Sequence, residues 1–426
     1  MRFDEALARL DARQPEHMPG PLLDRIREVV ELLDHPERTY PTIHITGTNG
    51  KTTAARVVQA VACAHGLTTG VFTSPHLLSV TERFDVCGQA MRPEAFAKEW
   101  AHLEPILQLV DGRGFGEVTY FEAVTALAFL WFADAPVGLG VFEVGMGGSW
   151  DATNLVAGDV AVITPVAMDH VAELGPTLTD IAGEKAGILK PGRIGVIREQ
   201  DAVVAETIRR RGTDVGCTLH WEGPNWEVEE RLLAVGGQSF RMRGLHATYD
   251  DLFLPLFGPY AVHNAAAGVV AFEALTGHAL LEETVRSAVA AVRVPGRLEV
   301  VAHQPIVILD GAHNPAGAEA LAEAMRMSFR WQDLHLVLAI SANKDVAGIC
   351  AALAPLADHV YVARNASVRS ADPAVVAAAT GDAATTFGSV AEALDAAQGR
   401  AEAADVILVT GSLFTVADAK RGLAGR

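Results

Sequence analysis

Residues 42–53 read TIHITGTNGKTT, a short apolar run that enters a glycine loop and leaves it through a Lys-Thr pair. After the loop, Ala55, Val58, Val61 and Ala62 recur at helical spacing. A strand that turns through glycines straight into a helix must cross back over a sheet, so this unit commits the chain to an α/β fold with parallel strands. The loop is a phosphate cradle in kind. Backbone N–H groups and a helix N-terminus favour an anion, Lys51 adds a point charge, and the Thr52 hydroxyl can ligate a metal ion. The common spacing G-x-x-x-x-G-K-[ST] would demand glycine at Ile45, but the first glycine is Gly47, so this loop is two residues shorter.

The alternation continues. Strands are expected at 42–46, 70–73, 139–144 and 160–164, and helices at 52–65, 121–132 and 180–189. Residues 217–256 change to short alternating segments around Gly236-Gly237, which predicts β-hairpins decorating the first domain. Helices at 262–275 and 282–292 lead to Pro295-Gly296, and strands at 307–309, 334–340, 360–362 and 406–410 follow. The predicted architecture is α/β: a P-loop-type parallel-sheet ATP-binding domain at 1–294 and a smaller Rossmann-like α/β domain at 295–426. A length of 426 residues supports two such cores.

The net charge of −18 repels polyanions and argues against nucleic acid, so an anionic substrate needs a local cluster of cations. No segment is apolar for long enough to span a membrane, and the charged stretch at 1–17 carries no apolar signal region, so a cytoplasmic protein is expected. Cys63, Cys87, Cys217 and Cys350 are scattered and are expected to be buried, reduced thiols.

Ser74, Glu143, the Asp169-His170 pair and Lys185 stand at or just beyond the ends of predicted strands, where open α/β sheets hold ligands. Singly each has a plain structural reading: a helix cap, a solvated strand end, a core histidine, a surface charge. Together a hydroxyl, a carboxylate and an imidazole converging on a triphosphate suit a hard cation, with Thr52 and Ser74 at one Mg²⁺ and Glu143 and His170 at a second. Such a site transfers phosphoryl groups.

Further motifs accumulate: GTNGKTT at 47–53, TSPHL at 73–77, ERF at 82–84, TYFE at 119–122, EVGMGG at 143–148, DATN at 151–154, GEKAGI at 183–188, PGR at 295–297, DGAHNP at 310–315 and GSL at 411–413. With these the chain resembles the Mur-ligase superfamily, and within it the folylpolyglutamate synthase/dihydrofolate synthase family. The resemblance implies an ATP-dependent ligase that phosphorylates a pterin carboxylate and lets the amine of L-glutamate attack the acyl phosphate. It implies ATP contacts at Gly47, Thr48, Asn49, Gly50, Lys51, Thr52, Asn264, Arg297 and Asp310. Dihydropteroate or folate is expected near Arg83, Thr119, Tyr120, Phe121, Glu122 and Asp151, and glutamate near His313 and Ser412. Lys51, Glu143, His170 and Lys185 are the expected catalytic residues, with Lys185 matching a lysine that is carbamylated in the family. A monomer with small-molecule substrates is implied.

Two departures bear on the acceptor. Ser149 stands where the family has Arg, and Tyr260-Ala261 replace a His-Gln pair ahead of Asn264. Other readings are a Mur-type ligase for another carboxylate, a non-catalytic nucleotide-binding paralogue, or a GTPase. Asn343-Lys344-Asp345 places its aspartate one position too early for the guanine motif Asn-Lys-x-Asp.

Overall fold

A computed structural model describes residues 1–14, 23–381 and 384–424, so part of the charged stretch at 1–17 lies outside the described residues. The first sheet is built from β1 (Thr42–Thr46), β2 (Thr69–Phe72), β3 (Phe84–Val86), β4 (Gln89–Ala90), β5 (Leu139–Glu143), β6 (Val160–Ile163), β7 (Ile194–Ile197) and β8 (Thr218–Trp221). Its order is β4-β3-β2-β5-β1-β6-β7-β8, parallel from β2 to β8, with β3 and β4 as an antiparallel edge. The strands expected at 42–46, 70–73, 139–144 and 160–164 are therefore β1, β2, β5 and β6. They were legible because strands buried on both faces are rich in apolar residues, as in β6, whose Val160–Ile163 run is wholly buried.

Position in the sheet makes the site. The crossover from β1 leads to β2 on one side, whereas β6, β7 and β8 lie on the other, so the carboxyl end of β1 is a switch point of the topology. Ile45 pairs with Glu143 of β5, and Thr46 with Ile163 of β6, which brings the three strand ends level beside the glycine loop.

Residues 227–254 form a second, antiparallel sheet from β9 (Glu227–Ala234), β10 (Gly237–Arg243) and β11 (Thr248–Leu254). Its buried face shares a core with helices Lys51–Ala64, Pro259–Thr276 and Glu282–Ala291, where the Tyr249 hydroxyl donates to Glu273 Oε1 at 2.7 Å. A third sheet uses β12 (Glu299–His303), β13 (Ile306–Leu309), β14 (Leu334–Leu338), β15 (His359–Val362), β16 (Ala384–Thr386) and β17 (Val406–Thr410). They run β12-β13-β17-β14-β15-β16, parallel except for β12. Among the described residues, no helix is long and apolar enough to cross a membrane.

The cysteine reading needs correction. Cys63, on the helix that follows the glycine loop, is disulfide-bonded to Cys87, with Cα atoms 5.8 Å apart. A separation of 24 residues hides this pair until the β3–β4 edge folds against that helix, where Arg56 and Gln59 both engage Asp85. Cys217 and Cys350 remain free thiols.

Helix Pro259–Thr276 lies directly against helix Lys51–Ala64, and Gly268 sets their approach. A Cβ at Gly268 would come within 2.8 Å of the Ala54 carbonyl oxygen and 2.9 Å of Val57 Cβ, neither of which can swing aside. Alanine favours a helix interior by about 1 kcal/mol over glycine, but overpacking costs about 1–3 kcal/mol, so the clash wins. Gly268→Ala should lower stability in urea titration, and it should raise the KM for ATP because the displaced helix carries Lys51. Unchanged stability would mean that the two helices can separate freely.

Candidate active site

Gly47 and Gly50 have φ of +144° and +94°, and side chains there would overlap Thr164 and Asn264 respectively. Only glycine fits both places. The loop delivers the chain into helix Lys51–Ala64 at its first turn, so free backbone N–H groups converge on the space above β1. Lys51 Nζ folds back onto the Gly47 and Thr48 carbonyls at 3.2 and 3.4 Å, and burial lowers its pKa. The Thr52 hydroxyl meets Glu143 at 3.1 and 3.0 Å from its two carboxylate oxygens. Burial pushes the Glu143 pKa up, against the pull of Lys51.

Lys185 arrives from helix Leu178–Ala186 and donates to the Gly47 carbonyl at 2.9 Å. Burial, reinforced by Lys51, brings its pKa down to about 7. Asp169 accepts from Lys344 Nζ at 2.5 Å and from Asn314 Nδ2 at 2.9 Å. Burial opposes its ionisation, but the surrounding cationic groups prevail and hold it well below the usual carboxylate range. Lys344 is the partner that secures this, because burial drives the His170 pKa down to about 3 and leaves that ring neutral. His170 itself sits in the left-handed region at φ 51°.

The second body closes over the loop. Asn314 and Asn49 exchange amide hydrogen bonds at 3.1 and 3.3 Å. His313 Nδ1 lies 2.8 Å from the Gly311 carbonyl, and burial takes its pKa to about 4. Asp310 accepts backbone N–H groups from Leu298 and Ala312 at 2.9 and 2.8 Å, which fixes the segment that carries Arg297.

One cavity gathers most of the residues expected from sequence. Residues 47–52, Ser74, Glu143, His170 and Lys185 line it, as do Thr119, Phe121, Glu122, Asp151, Arg297, His313 and Ser412. Four others stand behind the wall. Asn264 lies under Gly50 and accepts from Arg198, and Asp310 is buried in its backbone bonds. Arg83 donates to His76 at 3.0 Å and covers the Tyr120 ring at 5.4 Å. The adjacent aromatic pair is thus split. Phe121 reaches the cavity while packed on Phe72 at 6.0 Å, and Trp150, not Tyr120, supplies a further aromatic lining group. Thr119 and Glu122 form a reciprocal cap on helix Tyr120–Asp134, and Arg25 pairs with Glu122 at 3.0 Å. Asp151 likewise caps a short helical turn through Thr153 N at 3.0 Å.

Lys344, Asn314, Arg25 and Trp150 went unassigned in the sequence. Asn314 lay in view within DGAHNP, but its partners are 145 and 265 residues away. Lys344 binds Asp169 while Asp345 caps helix Val346–Leu353, so neither is free to read guanine.

The Mur ligase middle domain matches residues 45–272, and the Mur ligase glutamate ligase domain matches 296–413. The chain is 41% identical to the dihydrofolate synthase/folylpolyglutamate synthase of Mycobacterium tuberculosis, across 98% of this chain and 93% of that protein. It is 35% identical to the Escherichia coli enzyme of the same name, across 88% of this chain and 84% of that one. The fold superposes on M. tuberculosis folylpolyglutamate synthase complexed with ADP at a TM-score of 0.95, with 40% identity over 100% of this chain and 98% of the other. It superposes on E. coli FolC in complex with DHPP and ADP at 0.90, with 31% identity over 100% and 98%. The chain belongs to the dihydrofolate synthase/folylpolyglutamate synthase family of Mur ligases.

Proposed function

We propose that this protein joins L-glutamate to a pterin carboxylate at the expense of ATP, making dihydrofolate from dihydropteroate and extending existing folates. The observation that carries this reading is a single cavity lined both by the glycine loop with Lys51 and by His313 and Ser412 of the second body. Phosphate-holding and amine-delivering groups therefore face one reacting centre.

The loop N–H groups and Lys51 hold the triphosphate, and Arg297 adds charge from the second body. The acceptor carboxylate oxygen attacks the γ-phosphorus, the bond to the β,γ-bridging oxygen breaks, and ADP leaves. Glutamate nitrogen then attacks the acyl carbon; the C–N bond forms, the acyl C–O bond breaks, phosphate departs and the nitrogen loses a proton. His313 suits that proton. Donation from its Nδ1 to the Gly311 carbonyl leaves Nε2 as an acceptor on a ring kept neutral by burial.

Mg²⁺ fits this oxygen set as a passenger on the nucleotide. Glu143 and Thr52 offer one carboxylate and one hydroxyl, and no cluster of three His, Cys, Asp or Glu exists among the described residues. Mg²⁺ takes few protein ligands and completes its shell with phosphate and water. Thr52, Ser74 and Glu143 would hold one ion and Glu143 and His170 a second, supplying charge neutralisation on the phosphates.

Lys51→Ala and Glu143→Gln should each reduce acceptor-dependent ADP release on the order of 10²- to 10³-fold while circular dichroism stays native. Near-native turnover in either would remove these residues from the chemistry. Mass detection of a glutamyl adduct, with dihydropteroate and folates offered separately, tests both activities; product from folates alone would leave only the chain-extending one.

Lys185 carries a pH dependence. Its amine is lowered to about 7 in the fold, so the neutral form that can capture carbon dioxide is depleted as pH falls below that value. Activity should decline below pH 7 and rise with added bicarbonate in carbon-dioxide-depleted buffer, and Lys185→Ala should be nearly inactive. Because the unfolded chain binds this proton up to the ordinary lysine range, Lys185 also makes stability rise with pH from about 7 to 10.5. That slope should lessen in Lys185→Ala, measured by urea titration at several pH values, the remainder coming from Lys190 and Lys51, whose pKa values burial also lowers.

A further inference from the structure

Six cationic side chains line the cavity: Arg25, Lys51, Lys185, Arg297, Lys344 and Arg369. Four are held by hydrogen bonds or ion pairs. Arg25 pairs with Glu122, Lys344 with Asp169, and Lys51 and Lys185 with the Gly47 carbonyl. The Arg297 side chain makes no ion pair or hydrogen bond among the described residues, but it stands beside buried Asp310, whose ionised form it favours. Arg369 differs in having no such carboxylate paired with it. Among the described residues its guanidinium makes no ion pair or hydrogen bond, and its neighbour is the Phe414 ring, 6.0 Å away.

The loop beneath Arg369 is nonetheless held firmly. The Arg369 carbonyl accepts from Ala342 N at 2.7 Å, its own N–H donates to Ser367 Oγ at 3.2 Å, and Ala371 N donates to the Ile340 carbonyl at 2.8 Å. Ser341 and Ser370 bridge the same two segments. Arg369 is thereby tied to the segment that bears Lys344, and Phe414 follows Ser412, whose hydroxyl accepts from Phe414 N at 3.2 Å. A rigid backbone presenting one uncommitted guanidinium is a site prepared for an anion.

We propose that Arg369 anchors a carboxylate of the incoming L-glutamate, with the Phe414 ring supporting the guanidinium. The assignment deepens the ligase reading and rests on it. Arg369 belongs to the second body, on the wall shared with His313, Ser412 and Lys344, whereas the apolar groups suited to the acceptor, Leu23, Phe121 and Trp150, come from the first. Glutamate brings two carboxylates and must present its amine to the acyl phosphate. A planar fork grips a carboxylate through two parallel hydrogen bonds and so fixes the orientation of the amine, which a lysine ammonium cannot do.

The test separates anchoring from chemistry. With dihydropteroate as acceptor, Arg369→Ala should raise the KM for glutamate about 10- to 100-fold, the range expected for losing a charged hydrogen-bonding partner. The KM values for ATP and dihydropteroate should stay within about twofold. Arg369→Lys should recover only part of the loss. Hydroxylamine, a nucleophile without a carboxylate, should trap the acyl phosphate as hydroxamate equally fast in wild type and Arg369→Ala, which also reports an intact fold. An unchanged glutamate KM overturns the proposal, as does equal loss of hydroxamate formation. So does a defect confined to polyglutamylated acceptors, which would assign Arg369 to the acceptor tail. If wild-type protein forms neither hydroxamate nor glutamyl product, the ligase reading itself fails and takes this assignment with it.

Discussion

The carbonyl oxygen of Gly47 accepts from two buried lysines, Lys51 and Lys185, at 3.2 and 2.9 Å. Two ammonium groups on one acceptor repel each other and have lost water, which is why burial leads the downward shift of both. Loss of the Lys185 proton relieves the repulsion in part, and negative charge at the loop would relieve it further. The triphosphate proposed to bind the loop would satisfy Lys51, and conversion of the Lys185 amine to a carbamate would remove the second positive charge altogether. The same crowding of buried positive charge that costs stability favours an anion at the loop.

Asp169 performs the matching task between the two bodies. Its carboxylate receives Lys344 and Asn314 from the second body, and Asn314 in turn exchanges hydrogen bonds with Asn49 of the glycine loop. The second body therefore touches the glycine loop itself. A body bearing His313, Lys344 and Arg369 is positioned by contacts that touch the glycine loop, which under the proposed function would couple delivery of the amine to the state of that loop.

What could be read from sequence follows from which interactions are local. The glycine loop, Lys51, Thr52 and the strands around them were legible because strand, turn and helix are contiguous and buried parallel strands are rich in apolar residues. Glu143 and Lys185 were legible by position at element ends. The aromatic pair was not. Tyr120 and Phe121 are adjacent, but a helix turns neighbours about 100° apart, and Arg83 covers one ring while the other reaches the cavity. Helix Pro93–Asp111 escaped assignment despite the regular burial of Phe96, Trp100, Leu103, Leu107 and Val110, because Pro105 argues against a helix there. Pro105 and Ala101, whose carbonyl loses its partner, are both exposed, so water can satisfy the freed group. Lys344 and Asn314 depend on partners more than 140 residues away, and no local pattern marks them.

The overall charge of −18 gives these local cations their meaning. A surface that repels anions at long range gains nothing from steering, so the anionic substrates proposed for the cavity would be held by contacts inside it. Screening reinforces this, since charges more than about 8 Å apart at physiological ionic strength act only weakly through solvent. The six cationic side chains of the wall are drawn from both bodies, and four buried or half-buried carboxylates, Glu122, Glu143, Asp151 and Asp169, stand among them. Most of these charges neutralise or position one another before any substrate enters. Selectivity then rests with the few left uncommitted, whose charge is not already satisfied by the protein.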